Sequence, residues 1–303
     1  MRKILVLRGG ALGDFLVTLP AFALLRTGWP AARIELAGNA TAATLALSRG
    51  LIDAAHSQHE ARWAALFDSG PLPVEFGAWL ADFDLVVNFW PDPACELQRR
   101  FPCREGQRFL TAAAMPARAP AAAHYCAPLR DLGLATGMFW FPLERPDLTT
   151  PRAVPRVAVH PGSGSPLKNW PLDRWVELCA WLTGELGAEL LIVSGEAEPP
   201  EVLAGFGQSA RNLPLPALTT GLGRCQFFVG HDSGISHLAA ACSVPSVLLF
   251  GPTDPAMWAP PAPHVHIMQR GAELTAISVA EVRRAIMEVL AAGDSPVVTS
   301  GEA

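Results

Sequence analysis

The chain has 303 residues, of which half are apolar and 17% charged, with a formal net charge of −5. A typical globular chain carries about 25% charged residues, so this one can bury a large core, and its length has room for two domains. The acidic balance argues against a general nucleic-acid binder. The six cysteines (Cys95, Cys103, Cys126, Cys179, Cys225 and Cys242) form no CxxC pair. Neither a zinc site nor a disulfide framework is expected, and scattered thiols suit a reducing compartment. Met1-Arg2-Lys3 and the apolar run after it imitate a signal peptide, but Arg8, Asp14 and Pro20 interrupt the pattern. No uninterrupted apolar stretch reaches the roughly 18 residues of a spanning helix. The reading is a cytoplasmic protein, compatible with peripheral contact at the cytoplasmic face of the inner membrane.

Short apolar runs alternate with amphipathic stretches. Strands are expected at Lys3–Leu7, Arg33–Ala37 and Asp84–Phe89. Helices are expected at Gly13–Thr27, kinked at Pro20, and at Ala40–Ser48. Ser57–Trp79 and Ala94–Leu134 read as mostly helical or irregular. Phe139–Pro155 carries Pro142, Pro146, Pro151 and Pro155, the composition of an interdomain linker. The pattern then restarts with strands at Arg156–His160, Glu189–Ser194, Gln226–Val229 and Ser246–Phe250. Helices are expected at Leu172–Leu186, Pro199–Gly205, Gly234–Cys242 and Ser278–Ala291. The alternation predicts two doubly wound α/β domains, residues 1–140 and 141–303, each with a parallel sheet covered on both faces.

In such sheets ligands sit at the carboxyl ends of strands, so the loops that follow strands carry the functional reading. Arg8-Gly9-Gly10-Ala11-Leu12-Gly13-Asp14 leaves the first strand. Its glycines do not form GxGxxG, and no acid ends the second strand, so a dinucleotide site is a weak reading. Asp14 fits either a helix cap or a general base. His160-Pro161-Gly162-Ser163-Gly164-Ser165-Pro166-Leu167-Lys168-Asn169-Trp170 offers N–H groups, hydroxyls and one cation to phosphate oxygens, although it lacks the Walker A ending. Glu196, in Ser194-Gly195-Glu196, is a candidate for ribose hydroxyls or a surface acid. Gly230-His231-Asp232-Ser233-Gly234-Ile235-Ser236-His237 ends a strand and opens a helix. The free N–H groups there suit an anion, with Ser233 adding a hydroxyl and His237 one turn further on. Asp232 also reads as a cap, and His237 as a buried histidine.

These blocks, taken in order, resemble the ADP-heptose heptosyltransferases of glycosyltransferase family 9. The matches are Arg8…Leu12-Gly13-Asp14, His160-Pro161-Gly162…Lys168-Asn169-Trp170-Pro171, and Asp232-Ser233-Gly234…His237-Leu238-Ala239-Ala240 with Phe250-Gly251-Pro252-Thr253-Asp254. The resemblance implies a GT-B fold, with two Rossmann-like domains facing across a cleft. The N-terminal one would take the acceptor and the C-terminal one the nucleotide sugar. It implies an inverting transfer, without a metal or bound cofactor, from an ADP-sugar (ADP-heptose) to a lipopolysaccharide core or related glycolipid acceptor. Asp14 would be the catalytic base and Lys168 would neutralise the departing diphosphate. Gly13, Ser163, Glu196, Asp232, Ser233, Gly234 and His237 would bind the donor.

The first domain departs from that pattern. Trp63, Trp79, Trp90, Pro91 and Pro93 give it an unusual character. Arg99, Arg100, Arg104, Arg108 and Arg118 form a basic stretch that reads equally as a contact for a phosphorylated lipid core and as a solvated face. A protein hydroxyl as acceptor, and a non-catalytic nucleotide-sugar-binding module, are the alternative readings.

Overall fold

A computed structural model describes residues 1–144, 154–196, 198–199 and 201–293. It divides into two compact units, Met1–Leu143 with Ala256–Pro261, and Glu144–Pro255 with Ala262–Ala303. Most of the proline-rich segment expected as a linker, residues 145–153, lies outside the described residues.

The first unit runs β1 (Lys3–Arg8), α1 (Leu12–Leu16), α2 (Leu19–Gly28), β2 (Arg33–Gly38), α3 (Ala40–Leu47), β3 (Ala54–Ser57), α4 (Val74–Ala81), β4 (Leu85–Asn88), α5 (Glu96–Arg100), β5 (Arg108–Thr111) and α6 (Ala121–Cys126). Its described strands form a five-stranded parallel sheet ordered β3-β2-β1-β4-β5. β1 and β4 are continuous apolar runs because helices cover both faces. One face packs Leu5, Leu7 and Val86 against Trp63, Phe76, Leu80 and Phe83.

The expected helix Gly13–Thr27 is two helices, and the expected kink is a break. Pro20 has no N–H to continue the ladder. The Asp14 carbonyl, which a continuous helix would offer to the Thr18 N–H, instead accepts from the Thr18 hydroxyl at 2.8 Å and from Arg8 Nη2 at 3.0 Å. The stretch Ala94–Leu134, expected to be helical or irregular, contains the edge strand β5.

The rest of the chain runs β6 (Arg156–His160), α7 (Leu172–Gly184), β7 (Glu189–Ser194), β8 (Gly207–Arg211), α8 (Leu215–Leu222), β9 (Phe227–His231), α9 (Gly234–Ala241), β10 (Ser246–Phe250), α10 (Pro255–Trp258, which from Ala256 on belongs to the first unit), β11 (Val265–Gln269) and α11 (Val279–Gly293). The described strands form a six-stranded parallel sheet, β11-β10-β9-β6-β7-β8. The segment expected as a helix at Pro199–Gly205 is a run of turns over its described residues.

Both sheets follow one winding rule. The chain builds outward from a central strand, returns, and builds outward on the other side. The reversal falls between β1 and β4 in the first unit and between β6 and β9 in the second. Ligands of open parallel sheets bind beyond the strand ends at such a switch point. Of the described helices, none is long and apolar enough to cross a membrane.

Candidate functional site

In the first unit the switch-point loop carries Asp14. Gly10 has φ +101°, and a Cβ there would stand 2.6 Å from Asp14 Oδ2. Conformation and space both require glycine. Asp14 is the third residue of α1 rather than its cap. Its Oδ2 accepts the Ala11 N–H at 2.9 Å, which satisfies a free donor of the helix start. Oδ1 lies 3.4 Å from Arg8 Nη2.

Arg8 is the buried partner, its side chain 5% exposed against 37% for Asp14. Its guanidinium lies 4.3 Å from the Tyr125 ring centroid. Arg8 Nε donates to Thr18 Oγ1 at 3.0 Å, and Tyr125 donates to the Ala114 carbonyl at 2.7 Å. Burial pushes the Tyr125 hydroxyl above its usual range. A fixed cation thus sits behind a carboxylate that faces outward. Gly13, beside Asp14 in the first turn, contributes its carbonyl to the Val17 N–H at 3.1 Å.

In the second unit the loops after β6 and β9 meet. Lys168 Nζ lies 2.7 Å from Asp232 Oδ2, and the Thr253 hydroxyl donates to the same oxygen at 2.7 Å. The Asp232 side chain is 10% exposed and that of Lys168 30%. Gln269, at the end of β11, donates to the Gly251 and Thr253 carbonyls at 2.9 and 3.2 Å, which fixes the loop that presents Thr253. The Ser163 hydroxyl lies 2.7 Å from Asn169 Oδ1 and 2.8 Å from the Ser165 carbonyl, closing the loop on itself. Ser233, not Asp232, caps α9 and accepts the Ser236 N–H at 3.3 Å. Gly234 opens that helix, and half-buried His237 donates its backbone N–H to the Ser233 carbonyl at 3.3 Å.

His231 holds the two loops together, a role the sequence reading did not assign. Its Nε2 accepts the Trp170 N–H at 2.8 Å, so Nδ1 carries the proton and faces the Gly162 carbonyl at 3.4 Å. Burial drives its pKa down to about 3. The nearby His160, whose ring meets the Val193 carbonyl at 2.9 Å, is also lowered by burial. The signal for His231 was its place as the last residue of a buried strand, directly before Asp232.

Glu196 is exposed. The carboxylate turned toward the phosphate-type loop belongs to Glu198, which accepts the Gly195 N–H at 2.6 Å and occupies the space a Gly162 side chain would fill. Glu198 lines a cavity of about 470 Å³ together with Gly162, Ser163, Asn169, Trp170 and Trp175.

The arginine stretch is largely engaged within the first unit. Arg100 Nη2 donates to the Ala65 and Gly70 carbonyls at 3.0 and 2.6 Å, and Arg104 pairs with Asp84 at 2.6 Å. Arg99 and Arg108 reach the Ala94 and Asp131 carbonyls at 2.7 and 3.2 Å, while Arg118 is exposed. Trp63 packs edge-on against Trp79 and Trp90 at 5.9 and 5.4 Å. The unusual tryptophans are therefore one cluster.

Two parallel α/β units of this winding, with chemistry gathered at each switch point, define a GT-B-like fold, an architecture of glycosyltransferases. The family model described as Glycosyltransferase family 9 (heptosyltransferase) matches residues 144–283. The similarity to that family lies in the C-terminal part of the chain. Lipopolysaccharide heptosyltransferase 1 of Salmonella typhimurium is 33% identical over 96 residues, a stretch spanning 30% of each chain. Among solved structures, a family 9 glycosyl transferase from Veillonella parvula superposes with TM-score 0.78 at 19% identity, covering 96% of this chain and 98% of its own. E. coli heptosyltransferase WaaC with ADP gives 0.72 at 19% identity, covering 95% and 99%.

Proposed function

We propose that the protein transfers a heptose, with inversion, from ADP-heptose to a hydroxyl of a lipopolysaccharide-core glycan. The observation that carries this reading is the opposite polarity of the two switch-point loops. The first unit presents an exposed carboxylate, Asp14, backed by a buried Arg8; the second presents a cation, Lys168, backed by Asp232. The acceptor hydroxyl oxygen attacks the anomeric carbon as its proton passes to Asp14. The bond from that carbon to the β-phosphate oxygen breaks, and ADP leaves with both bonding electrons. Lys168 neutralises the added negative charge, and the start of α9 at Ser233 and Gly234 offers N–H groups to the diphosphate. Asp232 positions Lys168 through their ion pair. Ser163 shapes the loop around the phosphates, and His237 lies on the donor side. Glu198, closer to that loop than Glu196, is the better placed acid for ribose hydroxyls. The E. coli relative solved with ADP supports the nucleotide.

The test is a transfer assay with ADP-heptose and a lipid-core acceptor, following ADP release and the mass of the acceptor. Asp14→Asn should slow transfer about 10²- to 10⁴-fold while calorimetry shows donor binding intact. Unchanged turnover in that variant would remove Asp14 from the reaction. A mass gain on a protein, with none on the glycolipid, would move the acceptor to a protein hydroxyl.

A further inference from the structure

The ion pair between Lys168 and Asp232 accounts for where the outward cation stands, but not for what lets it turn from a carboxylate to a diphosphate. Lys168 is placed by its own loop. Its N–H donates to the Ser165 carbonyl at 2.9 Å, and the Asn169 N–H donates to the Pro166 carbonyl at 3.1 Å. The backbone position is thus set without Asp232, and only the flexible four-carbon stem brings the ammonium to it. An ammonium carries three donors. Asp232 Oδ2 takes one at 2.7 Å, and no other acceptor meets Lys168 Nζ among the described residues.

Asp232 is nearly sealed. Its N–H donates to the Leu249 carbonyl at 3.3 Å, and its side chain is 10% exposed. Water does little for such a carboxylate, so its protein partners decide how hard it pulls on the ammonium. The second partner is the Thr253 hydroxyl, which donates to the same Oδ2 at 2.7 Å. Thr253 in turn is placed from the far edge of the sheet. Gln269 ends β11 and gives its amide nitrogen to one loop, to the Gly251 carbonyl at 2.9 Å and the Thr253 carbonyl at 3.2 Å. One chain of hydrogen bonds therefore crosses the ends of four adjacent strands. It runs from β11 through the loops after β10 and β9 to the loop after β6.

We infer that Thr253, fixed by Gln269, is a positioning residue that makes Lys168 available to the donor's diphosphate. The inference rests on the nucleotide-sugar reading above. A nearly buried carboxylate with a single partner holds that partner tightly, because losing it would strand a charge. The Thr253 hydroxyl keeps Asp232 satisfied while the ammonium turns its remaining donors toward phosphate oxygens. Its one hydrogen is spent on Asp232, so Thr253 acts on the diphosphate through Lys168. Gln269 acts one step further back, by holding the loop that aims the hydroxyl.

The test measures ADP affinity by calorimetry on the full chain, with urea unfolding to confirm that each variant is folded. Thr253→Val keeps the branched shape and removes the hydroxyl. It should weaken ADP binding by about 3- to 10-fold, the effect of one hydrogen bond. Thr253→Ser restores the donor and should bind within about twofold of the wild type. Gln269→Leu should weaken binding in the same direction and by less. In a Lys168→Met background, which has no ammonium to release, neither Thr253→Val nor Gln269→Leu should change ADP affinity further. An equal loss in Thr253→Val with and without Lys168 overturns the inference, since the loop would then act on the ligand by itself. So does wild-type affinity in Thr253→Val, or a loss in Thr253→Ser as large as in Thr253→Val. A wild-type chain that binds no ADP overturns both this inference and the nucleotide reading. A chain that shows the coupling toward ADP but releases none from ADP-heptose with a lipid-core acceptor would break the transferase reading and support the hydrogen-bonded chain.

Discussion

The two units place an ion pair at the same topological position and turn it opposite ways. In the first, the arginine is sealed beneath and the carboxylate faces out; in the second, the carboxylate is nearly sealed and the lysine faces out. The backbone plan is shared, so the difference lies in which partner the surrounding loops bury. Tyr125, Thr18 and the Asp14 carbonyl enclose Arg8, whereas Thr253, held by Gln269, closes over Asp232. A winding rule thus fixes where chemistry gathers, and side-chain burial fixes its sign. An outward carboxylate suits proton removal from a hydroxyl. An outward ammonium suits a leaving diphosphate.

The strongest way to break this contrast is to remove the charge each unit presents. Asp14→Asn keeps the shape and the contact with the Ala11 N–H only if the amide nitrogen turns away, and it has no basic oxygen to take a proton. The expected loss in kcat is about 10²- to 10⁴-fold. Lys168→Met removes the outward cation and leaves Asp232 with Thr253 alone. Its expected loss is about 10²- to 10³-fold, with a weakened donor affinity that Asp14→Asn does not show. If both variants lose donor affinity equally, the division of roles between the units is wrong. Gly10→Ala tests positioning rather than charge. Its methyl group would crowd the Asp14 carboxylate, and its φ of +101° is strained for alanine. A kcat loss of about tenfold is expected, with a stability loss of about 1 kcal/mol or more in urea unfolding.

Legibility in the sequence followed the same logic of burial. The interior strands β1, β2, β4, β6, β7, β9 and β10 carry mostly buried, largely apolar residues, and each was readable. The strands missed were β3, β5, β8 and β11, the edges of the two sheets. Ala-Ala-His-Ser and Gly-Gln-Ser-Ala-Arg carry no apolar run, because an edge strand is buried on neither side fully. In the candidate site, Lys168, Asp232 and Ser233 were legible because glycine-rich loops and a helix start mark them. Glu198 was not. Two acids two residues apart after one strand look alike, and only the turn of the chain at Gly195 decides which carboxylate reaches Gly162. His231 was hidden for another reason. A histidine ending an apolar strand reads as core, and its link to the Trp170 N–H spans 61 residues of sequence.

That link yields the smallest effect at neutral pH. His231 is fully buried, with a pKa of about 3 against the usual 6.5 for a free histidine. The unfolded chain therefore takes up this proton near pH 6.5, whereas the folded chain resists it until about pH 3. Stability from neutral His231 is complete above about pH 6.5 and falls as pH drops, by about 1.4 kcal/mol per pH unit. His160 adds a loss in the same direction, since burial lowers it too. His231→Gln offers the Trp170 N–H an amide oxygen that does not titrate. Its unfolding free energy from urea titration should start about 1 to 2 kcal/mol lower at pH 7, the cost of an imperfect replacement, and decline less steeply than the wild type below about pH 6. Parallel declines would mean that protons enter the unit elsewhere, and that the tie between the loops after β6 and β9 does not depend on a neutral imidazole.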